Sequence, residues 1–119
     1  MALFLPMIET TSRRDAFWEH CRNNLGIARL LVQERRPEPL VATACRMAVE
    51  TACRAAQEHE GQGWDGDAQA FFDRLGGHLE PFEIEPGVGG PLRLAAAERA
   101  VARVAAHLRQ LAPERNWGF

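Results

Sequence analysis

The chain has no lysine and no tyrosine, and it carries only three cysteines in 119 residues. With lysine absent, all 14 basic residues are arginine, and alanine and glycine are abundant. That pattern is the coding bias of a GC-rich genome, so each single arginine carries less weight as a functional choice. Cys21, Cys45 and Cys53 form no CxxC pair and are odd in number. A disulfide framework and a zinc knuckle are thereby disfavoured, and reduced, partly buried thiols are expected. A basic excess is also lacking: the net charge is -2 and the pI about 6.1. This argues against a general nucleic-acid surface, although a local basic patch remains open.

Several chemical signatures are missing as well. There is no HExxH, no GxGxxG, no Glu-x-x-His of the kind that builds di-iron bundles, and no P-loop. The glycine-rich GVGG at 87–90 follows no strand and has no lysine, so it is no phosphate cradle. Neither a cofactor nor a metal is expected. MALFLPMIE is apolar, but it has no basic n-region, is interrupted by Pro6, and is too short for a secretory signal or a membrane span. A soluble, cytoplasmic protein is the expectation.

What is present is helical periodicity. Apolar residues make up 46% and charged residues 25%, ordinary for a folded domain, and a chain of this length buries roughly two thirds of its unfolded surface. Residues 1–11 read as an extended arm. A first helix opens at Ser12, a good N-cap with Asp15 as its capping-box partner. It continues through Phe17, Cys21, Asn24, Leu25, Ala28, Leu31 and Val32, and stops near Arg35-Arg36 before Pro37. A second spans 39–59, with Leu40, Val41, Ala44, Ala48, Thr51, Ala52 and Ala55 inward and Arg46, Glu50, Arg54 and Gln57 outward. Asp67 caps a short third helix carrying Ala70, Phe71, Phe72 and Leu75, which ends at Gly76-Gly77. After a Gly/Pro-rich loop at 80–91, a fourth helix runs from Leu92 to Leu111. The spacing predicts an all-α, four-helix up-and-down bundle of three long helices and one short, as one domain over 12–112 with a tail at 113–119. Asn24 and Thr51 on the inward stripes are expected to hydrogen-bond between helices. The apolar arm and the tail aromatics Trp117 and Phe119 are expected to cover a neighbouring subunit, giving a homodimer.

Four histidines and fourteen arginines make Arg/His pairs easy to find. RAAQEH, at 54–59, pairs Arg54 with His59 across four residues, and Arg13 or Arg14 pairs with His20. In an arginine-rich chain about 1.4 such pairs arise by chance, and the three found here barely exceed that. Five residues of helix turn by about 140°, so Arg54 and His59 face different ways, with His59 on the apolar side. His107 stands at the edge of the last helix's apolar stripe one turn after Arg103, where a cationic neighbour would favour the neutral imidazole and suit acid/base work. The candidate catalytic residues are therefore His107, Arg103, His59 and Arg54. For each, a solvated or packed role is the competing reading.

ACRMAVETACRAA, residues 44–56, resembles the second helix of the HEPN superfamily, with Ala48, Glu50, Arg54 and Ala55 in comparable places. AFWEHCRNNLGIARLL before it, FFDRLGG after it and the Ala-rich last helix are similar to the same layout. The resemblance implies a small helical bundle linked to nucleotides, RNA or a nucleotidyltransferase partner. Members that cut RNA without metal carry Arg-x4–6-His late in the bundle, with a polar residue after the arginine. Here Arg54 lies on the second helix and is followed by Ala55, and the last helix offers only Arg103-x3-His107 and Arg99-x7-His107. The resemblance thus implies a non-catalytic, dimeric binding or partner module. The alternatives are an RNA-cleaving enzyme of toxin type, using His107 or His59 with an arginine across a dimer interface, and a small-ligand site between the helices and the 80–91 loop.

Overall fold

The computed structural model describes residues 5–61, 66–76, 89–114 and 117, with side chains in the first helix from residue 15 onward. Among these residues there are four α-helices: α1 (Leu5–Gln33), α2 (Glu38–His59), α3 (Ala68–Arg74) and α4 (Gly90–Leu111). The all-α bundle of three long helices and one short is as the periodicity predicts.

The start of α1 departs from expectation. The helix begins at Leu5, so residues 5–11 are helical rather than an extended arm, and Ser12 lies inside the helix rather than capping it. Pro6 permits this, because a proline in the first turn gives up an N–H that no helix position would use. At the other end, Arg36 N–H donates to the Leu31 carbonyl (2.9 Å) and Arg35 N–H to that of Val32 (3.1 Å). Arg35 has φ +56°, so α1 ends in a Schellman motif whose left-handed position holds an arginine. The connection to α2 is short, and α1 and α2 pack as an antiparallel pair. Pro39 sits in the first turn of α2, which starts one residue earlier than expected.

Small side chains let the helices approach closely. Ala44, Ala48, Ala52, Ala55 and Ala56 of α2 are buried, as are Ala96, Ala97, Ala100 and Ala105 of α4, with Leu25, Val41, Val49, Val101, Val104 and Leu108 between them. The start of α4 also packs against both other long helices. A β-carbon on Gly90 would meet Val41 Cγ2 at 3.4 Å and Val32 Cγ2 at 3.5 Å. Nearby, the buried Arg93 Nε donates to Glu38 Oε1 at 2.6 Å, joining the first turns of α4 and α2. The other ends of the same two helices meet at Glu60 and His107, so α2 and α4 run in the same direction.

Three side-chain assignments need correction. Gln57, placed outward by the sequence pattern, is 1% exposed. Thr51 Oγ1 donates to the carbonyl of Met47 (2.7 Å) in its own helix, with that of Ala48 at 3.1 Å, and so does not bridge two helices. Leu40 is 44% exposed instead of buried. Asp67 does cap α3, accepting from Ala70 N–H at 2.9 Å, and Phe71 and Phe72 are both buried. Trp117 is buried in its own chain against Trp18, so it is not available to cover a second subunit. Phe119, the side chains of the arm, Trp64 and most of the 80–91 loop lie outside the described residues. No helix of the described residues is long and apolar enough to cross a membrane.

Candidate functional site

Titratable side chains converge where α2 ends and α3 packs beside the C-terminal half of α4. The last turn of α2 delivers His59, and Glu60 follows in helical geometry with its N–H donating to the Ala56 carbonyl at 3.0 Å. Glu60 Oε1 lies 3.6 Å from His107 Nε2, and Glu60 Oε2 lies 3.8 Å from Arg74 Nη1. The facing atoms of Glu60 and His107 are both shielded from solvent. Phe71 forms the wall: its ring stands edge-on to His107 at 6.0 Å, and the Arg74 guanidinium lies 5.3 Å from its centroid.

On the outer side of His107 is an open groove of about 270 Å³, lined by Leu75, Arg103, Ala106, His107 and Gln110. Arg103, His107 and Gln110 fall at i, i+4 and i+7, which puts them on one face of α4. Arg103 Nη2 makes a long contact of 3.5 Å with the Leu75 carbonyl oxygen across the groove.

His59 turns the other way. Its ring meets Trp117 edge-on at 5.0 Å, and Trp117 meets Trp18 at 5.7 Å. Arg54 is exposed on α2 with its guanidinium 4.5 Å from the Phe17 ring centroid. The helix therefore separates the RAAQEH pair, one member stacked on the surface and the other packed on a tryptophan. Arg103 and His107 are brought into one groove. The charged group that faces the imidazole nitrogen, however, is the Glu60 carboxylate and not the Arg103 guanidinium expected from spacing. Glu60 escaped the sequence reading because it follows the last periodic residue of α2, and only the α2–α4 packing carries it to His107. His20 is exposed, and its partners Arg13 and Arg14 lie outside the described side chains.

Comparison with protein-family models, curated proteins and solved structures finds no match. Function therefore rests on the site alone. Among the described residues no group of three or more His, Cys, Asp or Glu could hold a metal ion. Nor are the thiols placed to act as nucleophiles. Burial pushes Cys21 up to about 12, against smaller opposing effects of Arg22 and Arg29, and pushes Cys45 up to about 11.

Proposed function

We propose that this chain is a non-catalytic, HEPN-like helical bundle that works as a dimeric binding module for a protein partner of nucleotidyltransferase type. The observation that carries the reading is the separation of Arg54 from His59: an arginine stacked on Phe17 outside and a histidine packed on Trp117 cannot act on one phosphodiester. The surface supports the dimeric half. Ile27 and Leu30 on α1, with Leu40 and Met47 on α2, leave four large apolar side chains exposed on the α1–α2 pair. A two-fold dimer can cover such a hairpin with its own copy. Light scattering on the purified chain tests this. A dimer that Met47→Glu and Leu40→Glu convert to monomer supports the reading, and a strictly monomeric wild type rejects it.

One observation favours a second reading, an RNA-cleaving enzyme. A carboxylate behind an imidazole, with an arginine in the same groove, is a possible acid/base arrangement. Cleavage of mixed RNA that is lost in a folded His107→Ala protein would support it. Absence of cleavage by the wild type would dispose of it.

A further inference from the structure

We infer that the groove on α4 binds a compact oxyanion, a phosphate or carboxylate carried on a small apolar body. The donors come first. A guanidinium offers five N–H groups in a planar fork that fits two oxygens of such an anion. Arg103 uses one of them, and only at 3.5 Å, on the carbonyl of Leu75. That contact draws the guanidinium across the groove and leaves most of the fork for a ligand. Gln110, two turns further along the same face, adds an amide that can donate to the anion or accept from a neighbouring hydroxyl. His107 closes the inner wall.

Electrostatics at this end point the same way. The carboxylate beside the groove, Glu60, has one oxygen 3.8 Å from the Arg74 guanidinium, which offsets part of its charge before a ligand arrives. The negative end of the α4 dipole lies in the last turn beside Gln110, so the charge that attracts the anion is that of Arg103, two turns earlier.

Size and lining define the body of the ligand. About 270 Å³ falls just below the ~300 Å³ at which drug-sized sites begin, so the occupant is smaller than a dinucleotide or a peptide. Leu75 and Ala106 supply the apolar contact. The groove lies at the α3–α4 end, and its chemistry holds whether or not the chain dimerises and whether or not it cleaves RNA.

Titration of the isotope-labelled chain with inorganic phosphate, phenyl phosphate and benzoate, followed by amide chemical shifts, tests the inference. Saturable shifts of Leu75, Gly76 and residues 103–110 with phenyl phosphate or benzoate, stronger than with inorganic phosphate, are the expected result. A preference between those two arms identifies the anion. Arg103→Gln is expected to weaken binding at least tenfold and Arg103→Lys by less, because lysine keeps the charge and loses the fork. Arg54→Gln, on the exposed face of α2, is expected to leave binding unchanged. Shifts that do not saturate, that map elsewhere, or that Arg54→Gln weakens as much as Arg103→Gln would overturn the site. Well-dispersed spectra of the variants separate loss of binding from loss of fold.

Discussion

Trp18 Nε1 donates a hydrogen bond of 2.8 Å to the backbone carbonyl oxygen of Trp117, a buried contact between residues 99 apart. Trp117 Nε1 donates in turn to the Ala112 carbonyl at 3.3 Å, which fastens the segment after α4 against α1 and the end of α2. Trp18→Phe keeps most of the ring and leaves that carbonyl without its indole donor, at an expected cost of ~1–3 kcal/mol. Trp117→Ala also removes the buried ring and is expected to cost ~3–5 kcal/mol. Urea unfolding followed by circular dichroism measures both. Equal stability of Trp117→Ala and wild type would show that the segment is not part of the core.

The pair at the opposite end is polar. Arg93 is 4% exposed and bonded to Glu38, which is itself only partly buried. Glu38→Gln takes the negative partner from a buried guanidinium and is expected to lower stability by ~1–3 kcal/mol. Arg93→Met with Glu38→Gln should recover part of that loss. A double-mutant cycle in denaturant gives the coupling, and a coupling near zero would mean that packing alone joins these two helix starts.

Alkaline pH should weaken the fold through its thiols. Folding raises the pKa of Cys21 to about 12 and of Cys45 to about 11, from 9.0. The stability this carries is fully present below pH 9 and is lost as pH rises through the folded values. At about pH 10 each thiol is expected to cost ~1 kcal/mol relative to neutral pH. Denaturant midpoints between neutral pH and pH 10 check this, with Cys21→Ala and Cys45→Ala flattening the dependence. Native protein should also resist a thiol reagent at Cys21 and Cys45 until it unfolds.

RAAQEH can be divided by stability alone. Arg54→Ala removes an exposed cation from the Phe17 ring and is expected to cost ~0.5–1 kcal/mol or less. His59→Ala removes a ring packed edge-on against Trp117 and is expected to cost more, ~1–2 kcal/mol. Thermal melts of the two variants decide, and the reverse ranking would contradict the placement of the pair.

Arg35 occupies the left-handed region at φ +56°, a conformation that L side chains resist and glycine does not. Arg35→Gly is expected to be neutral or to stabilise by ~0.5 kcal/mol, despite the greater freedom of glycine in the unfolded chain. Calorimetry on this variant would detect the change, and marked destabilisation would mean that the arginine side chain itself holds the turn.

The helices were legible because their information is local. The stripe Cys21, Leu25 and Ala28, the cap at Asp67 and the stop at Gly76 each follow from residues within a few positions of one another. What was not legible depends on partners far along the chain. Gln57 sits at a position that the wheel of α2 marks as polar, and packing from the rest of the molecule buries it. Trp117 reads as a loose aromatic until Trp18 supplies its contact, and Glu60 reads as a loop carboxylate until α4 sets His107 opposite. The start of α1 differs for another reason: Ser12 offers a sound cap, and the helix passes through it to begin earlier, at Leu5.

The Trp18–Trp117 contact also bears on how the chain is made. During synthesis the donor emerges from the ribosome early, and its acceptor follows only 99 residues later. The α1–α2 hairpin can pair as soon as it is exposed, but the apolar surface around Trp18 and His59 stays uncovered until residue 117 arrives. Between those two moments the nascent chain is a helical hairpin with an open aromatic socket, a state suited to capture by chaperones or by a neighbouring hairpin.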